Sequence, residues 1–148
     1  MGMLQNKVAV VTGSTSGIGL ATAEKFAEEG AKVVITGRNH EKGLAVEHSI
    51  RGNGKEATYI PCDVTKEEDI AHLMDGAVEH YGRLDILVGN AGIPETKSPV
   101  HKMKLEDLTR VLNTDLIGVV LSNKYAIQKM LKNEGKQKGC IVNVASIL

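Results

Sequence analysis

The chain has no surplus of charge of either sign. Lys+Arg and Asp+Glu both number 18, so the formal net charge is zero. A basic face for nucleic acid or for an anionic membrane surface is therefore not expected. Only two cysteines occur, Cys62 and Cys140, and they lack metal-ligand spacing. Both are read as reduced thiols of a cytoplasmic protein, with no metal site. No apolar run approaches the ~20 residues of a membrane span. Residues Met1 to Lys7 lack the apolar stretch of a signal peptide. Linkers, repeats and low-complexity segments are missing as well. What remains is a globular composition, 42% hydrophobic over 148 residues. That is enough for one domain with a real core.

Strand and helix signals alternate along this domain. Apolar strands are predicted at Val8–Val11, Val33–Thr36, Thr58–Pro61, Leu84–Val88 and Cys140–Ala145. Helical stretches are predicted near Ile18–Glu29, Glu41–Arg51, Glu67–Tyr81 and Leu105–Lys132. Thr65-Lys66-Glu67-Glu68 reads as a capping box before the third helix. Gly30 reads as the C-cap of the first. Short, continuously apolar strands separated by helices imply a parallel sheet covered on both faces, and right-handed crossovers then make it doubly wound.

Such a sheet binds ligands at the carboxyl ends of its strands. Polar and small residues collect there: Thr12-Gly13, Thr36-Gly37-Arg38, Cys62-Asp63, Gly89-Asn90-Ala91-Gly92 and Ser146. The first of these opens the loop T-G-S-T-S-G-I-G, between an apolar strand and an amphipathic helix. Glycines permit a tight turn and close approach of backbone to phosphate. The helix that follows points its free N–H groups and positive dipole end at an anion. The alternative is a glycine-rich turn with no ligand.

Gly13, Gly17 and Gly19 are spaced G-x-x-x-G-x-G behind Thr12. This resembles the T-G-x-x-x-G-x-G loop of the short-chain dehydrogenase/reductase family, and the resemblance covers essentially all 148 residues. It implies a Rossmann-like α/β sheet of strand order 3-2-1-4-5. Residues 1–148 would be its NAD(P)-binding domain, truncated after the fifth strand and incomplete at the carboxyl terminus. The last strand would then present an open parallel edge that invites association.

The resemblance also assigns a site. Gly13, Ser16, Gly17, Ile18 and Gly19 would form the cofactor loop. Arg38 stands about 20 residues beyond it, where an acidic residue binds a ribose 2′-OH and an arginine accommodates a 2′-phosphate. With Gly37 in place of the aspartate of NAD-preferring relatives, NADP is favoured over NAD. The other reading of Arg38 is a solvated surface residue. Ser16 takes a position that is Lys or Arg in some NADP-preferring relatives. Asp63 and Val64 would hold the adenine ring, although Asp is also common as a turn residue before a capped helix. Asn90-Ala91-Gly92 matches the N-A-G motif beside the nicotinamide ribose.

Ile141 to Ser146 resembles the family's I-V-N-I-S-S segment, which makes Ser146 the serine that orients the substrate carbonyl. Thr114 to Gly118 matches V-N-L-x-G and puts Asp115 at the family's asparagine, the holder of a relay water. An aspartate accepts hydrogen bonds there but has no amide N–H to give.

In the family a Tyr-x-x-x-Lys pair moves the proton, on the helix after the serine, and this chain reaches only to Leu148. Tyr125 and Lys129 have that spacing but precede the serine. Residues four apart share a helix face by geometry alone, so this pair is read as structural. Two functions follow. One is an oxidoreductase that at full length transfers hydride between NADP(H) and a small ketone or secondary alcohol, a 3-oxoacyl thioester being one class. The 148-residue chain alone is expected to be inactive. The other is a non-catalytic dinucleotide-binding module or inactive fragment. The resemblance further implies a homo-oligomer, tetramer or dimer, of the full-length protein, in which Leu105–Lys132 is long enough to take part; neither nucleic acid nor membrane is expected as partner.

Overall fold

The structure is a computed structural model and describes residues 2–94 and 97–146. Five parallel strands form one sheet: β1 (Val8–Val11), β2 (Lys32–Ile35), β3 (Ala57–Tyr59), β4 (Ile86–Gly89) and β5 (Cys140–Asn143). Their order is β3-β2-β1-β4-β5, as the resemblance implied. Val10 sits opposite Val34 on one side and Leu87 on the other, and Leu87 sits opposite Ile141. The order reverses at β1, so β1 and β4 flank the topological switch point where such sheets bind ligands.

Side chains of one strand alternate between two cores. Val10, Val34 and Leu87 pack with Ile70, Leu73, Met74 and Ala77 of α3 (Glu67–Tyr81) and with Ala126 and Met130 of α5 (Gly118–Met130). Val11, Val33, Ile35 and Val88 pack on the other face, with Ala23 and Ala27 of α1 (Gly17–Glu28) and Ile50 of α2 (His40–Gly52). Apolar residues on both faces of each strand are what made these segments continuous apolar runs. No helix among the described residues is long and apolar enough to cross a membrane.

The structure corrects three local expectations. Several strand ends move by a residue or two: Thr36, Pro61, Leu84 and Ala145 lie outside the ladders, which stop where partner strands stop. The long helical stretch is divided. The helix α4 (Leu105–Leu112) passes through a π-helical turn, Asn113–Ile117, into α5. Two contacts account for the turn. Thr114 is buried and its hydroxyl donates to Arg110 O at 3.0 Å. Gly118 packs so tightly on Val64 that a Cβ there would lie 2.7 Å from its carbonyl oxygen. Nor does the capping box form. Lys66 is the N-cap of α3 without a side-chain bond. The Thr65 hydroxyl and N–H both donate to Asp63 Oδ1, at 2.7 and 3.0 Å, while Asp69 Oδ2 accepts from the Asp63 N–H at 2.9 Å. Gly30 does end α1, one residue past its cap, with φ +90°.

Both cysteines are free. Burial, with the nearby Asp69 and Asp63 carboxylates, pushes the Cys62 thiol up to about 12, while Cys140 is exposed on β5. A thiol-reactive dye at neutral pH should therefore label one thiol promptly and the second only after denaturant is added, since thiolate is the reactive form. Two prompt labels in the native state would contradict this burial.

Candidate functional site

The site begins with a knot between the ends of β1 and β4. The Thr12 hydroxyl oxygen accepts the backbone N–H groups of Asn90 and Ala91, each at 2.9 Å. The Asn90 side-chain amide donates back to the carbonyls of Thr12 and Gly13, at 3.1 and 3.3 Å. A second tie joins β1 to β2: Ser14 Oγ accepts from the Thr36 N–H at 2.9 Å, and the Ser14 N–H donates to Thr36 O at 3.0 Å. Thus the loops after β1, β2 and β4 are fixed by hydrogen bonds that none of the strands supplies.

Glycine is required at two points of this knot. Gly13 has φ +62°, a left-handed conformation, and a Cβ there would lie 3.0 Å from Ala91 Cα. Gly19 is wedged between the loops, where a Cβ would sit 2.3 Å from Gly13 O and 2.4 Å from Asn90 Nδ2. Gly19 therefore holds α1 against the loop from behind, away from the cavity wall.

Two cavities open on either side of the Asn90–Ile93 segment. The smaller, about 280 Å³, is lined by Gly13, Thr15, Ser16, Thr36, Gly37 and Arg38 on one side. Cys62, Asp63, Val64 and Thr114 face them. The larger, about 770 Å³, lies between Ile18, Asp115, Asn143 and Ser146. Asn90, Ala91 and Gly92 line both. The structure thus brings together Gly13, Ser16, Arg38, Asp63, Val64, Asn90, Ala91 and Gly92 in one lobe, and Ile18, Asp115 and Ser146 in the other. Gly17, with φ +57°, stands exposed in the loop with no atom within 4 Å of where its Cβ would be.

The electrostatics suit an anion in the smaller lobe. No side chain caps α1, whose N-cap is Ser16, whereas Asn39 Oδ1 caps α2 through the Lys42 N–H at 2.9 Å. The first N–H groups of α1 are thus left without a cap, at the positive end of the helix dipole. Arg38 adds a full charge beside Asp63. Burial pulls the Asp63 carboxyl upward, but the Thr65 hydrogen bonds and the Arg38 and Lys66 charges outweigh it and leave it below its ordinary value. Asp115 Oδ1 accepts from the Ile93 N–H at 2.9 Å, pinning the far end of the partition between the lobes.

Tyr125 and Lys129 line neither cavity. The Tyr125 hydroxyl donates to Glu67 Oε1 at 2.8 Å, and Lys129 pairs with Asp75. Both tie α5 to α3, as a structural pair would. Thr12 was the residue that counting glycines overlooked. It opens the T-G-x-x-x-G-x-G motif just beyond β1, but was not counted among the cofactor-binding residues.

The family model described as short chain dehydrogenase matches residues 7–148. The chain belongs to this family. Among curated members it is 46% identical over 142 residues to a cis-4-hydroxycyclohexanecarboxylate dehydrogenase of Sinomonas cyclohexanicum, covering 96% of this chain and 55% of that protein. It is 44% identical over 147 residues to tropinone reductase-like 1 of Erythroxylum coca, covering 97% and 52%. Among solved structures, a short chain dehydrogenase from Mycobacterium smegmatis superposes with a TM-score of 0.92 at 35% identity, covering 99% of this chain and 60% of that one. The chain therefore spans about half the length of the curated relatives it matches. Short chain dehydrogenases bind NAD(P).

Proposed function

We propose that this chain is the amino-terminal, cofactor-binding part of a cytoplasmic oxidoreductase that passes hydride between NADP(H) and a small ketone or secondary alcohol. The observation that carries this reading is the crevice itself, with an uncapped helix terminus and Arg38 in one lobe and Ser146 in the other. Dehydrogenase and reductase names among the relatives support it.

When bound, the dinucleotide supplies or accepts the hydride. The backbone of Gly13 to Gly19 would bind its phosphates, and Arg38 would pair with a 2′-phosphate. Asp63 and Val64 would flank the adenine, and Asn90 to Gly92 would lie against the nicotinamide ribose. Ser146 would orient the substrate oxygen by hydrogen bonding. The proton donor would come from the part of the protein that follows.

Titration with NADPH and NADH, followed by nicotinamide fluorescence, tests the cofactor. NADPH should bind about tenfold more tightly, and Arg38→Ala should remove most of that preference, since charge-assisted bonds to a phosphate are strong. Clearly tighter NADH binding by the unaltered protein refutes the Arg38 assignment.

The same reading includes a homo-oligomer. Leu108, Leu112, Leu116 and Val120 form an exposed apolar stripe along α4, the π-turn and α5, with Leu116 55% and Val120 57% accessible. Contiguous exposed apolar surface of this kind marks an interface. Light scattering of the full-length protein should give a multiple of its own chain mass. Leu116→Glu should shift it toward the monomer, and a monomer before mutation would exclude this interface.

A further inference from the structure

Arg38 is exposed, and none of the ion pairs among the described residues holds its guanidinium. Its position is therefore set by the backbone that carries it. That backbone is a short bridge: Gly37 precedes Arg38, and Asn39 after it caps α2. One side chain outside the crevice touches both ends of this bridge.

Tyr59 is the last residue of β3 and is 8% exposed. It lines neither lobe. Its hydroxyl donates to Gly37 O at 2.9 Å, a carbonyl that also accepts the Cys62 N–H at 3.3 Å. Gly37 itself lies against the cofactor loop, where a Cβ would sit 2.9 Å from Thr15 Cγ2. The Tyr59 ring holds the other end of the bridge. Gly43 of α2 lies so close to it that a Cβ there would be 2.1 Å from Tyr59 Cε2. His40, the first residue of α2, meets the same ring edge-on, with centroids 5.4 Å apart. Glu47 of α2 accepts the Tyr59 N–H. Hydroxyl, ring and main chain of one residue thus fix Gly37 and the start of α2 relative to each other. Packing does not require the hydroxyl. A phenylalanine fills the same space, and the Cys62 N–H still serves Gly37 O.

We propose that Tyr59 is a positioning residue for cofactor selectivity: its hydroxyl holds Gly37 against the Thr15 loop and so aims Arg38 at the 2′-phosphate of NADP(H). This rests on the Arg38 reading above and adds what keeps that arginine in place. NADPH uses the aimed guanidinium. NADH lacks the phosphate and does not. Loss of the tether therefore weakens the first nucleotide and spares the second.

The test measures Kd for NADPH and NADH on the full-length protein by nicotinamide fluorescence. The unaltered protein is compared with Tyr59→Phe, Arg38→Ala and the double variant. The ratio of the two Kd values within one protein cancels differences in folded fraction. The preference for NADPH should fall about threefold or more in Tyr59→Phe, the size expected of one lost hydrogen bond. Adding Tyr59→Phe to Arg38→Ala should leave the ratio unchanged, because residues that act through one interaction are not additive.

A general loosening of β3 would weaken both nucleotides alike and leave the ratio at its unaltered value, and that result overturns the proposal. So does an equal fall in both backgrounds, since Tyr59 would then act without Arg38. An unaltered protein with no preference for NADPH refutes the Arg38 reading, and the proposal with it. A preference that survives Tyr59→Phe refutes the proposal alone.

Discussion

Thr12→Val should cost the protein about 2–4 kcal/mol of stability, because it leaves two backbone donors without an acceptor at nearly constant side-chain volume. The Thr12 oxygen takes both the Asn90 and Ala91 N–H groups. Thr12 is 2% exposed, so water cannot replace its oxygen from outside. The substitution should also loosen the Asn90–Ile93 partition and weaken nucleotide binding beyond what the stability loss explains. Thr12→Ser, which keeps the oxygen, should recover most of both. The denaturant midpoint and an NADPH titration measure these effects. A valine variant within about 0.5 kcal/mol of the unaltered protein would show that the knot contributes no more than an ordinary surface contact.

The second large effect is expected from Gly19→Ala. A single methyl would be placed 2.3 Å from a backbone oxygen and 2.4 Å from the Asn90 amide nitrogen. Neither neighbour can step aside cheaply: one is main chain and the other holds the knot. The loss should be about 3 kcal/mol, at the upper end for overpacking. The new Cβ would also displace the loop from α1, so nicotinamide fluorescence should not change at NADPH concentrations that saturate the unaltered protein. Gly17→Ala provides the contrast. Its Cβ would meet no neighbouring atom, so only the cost of its left-handed backbone remains, about 1–2 kcal/mol. Equal losses at the two positions would contradict the packing role assigned to Gly19.

Much of this arrangement could be read from local patterns. Both faces of β1, β2 and β4 are buried, so the strands appear in the sequence as runs such as Val8–Val11, and the glycine loop announces itself by spacing. What could not be read depends on contacts between distant residues. The apolar stripe through Leu108, Leu112, Leu116 and Val120 keeps helical spacing across the π-turn, so periodicity predicted one uninterrupted helix. The turn is set by Gly118 meeting the Val64 carbonyl, more than fifty positions away in the chain. The capping box failed for a similar reason: Thr65 was drawn to Asp63, whose own N–H is held by Asp69. Arg38, Asp63, Asn90 and Asp115 were named from sequence; Arg38 and Asp63 line the smaller lobe and Asp115 the larger, with Asn90 on the wall of both. Thr12, which binds two walls of the crevice together, was visible as the first residue of the T-G-x-x-x-G-x-G loop, but its bonds to Asn90 and Ala91 were not.

The Thr12–Asn90 knot also has a consequence for how the molecule folds. It joins residues 78 positions apart, so β4 docks beside β1 across an intervening stretch of chain that holds α1, β2, α2, β3 and α3. Contacts of such long sequence separation form late and slowly. The nucleotide crevice therefore cannot exist in a partly folded chain that has assembled only its first three strands. During refolding, the recovery of nicotinamide fluorescence should lag behind the recovery of helical circular dichroism. A nucleotide that recognises only the completed knot should retard unfolding far more than it hastens folding.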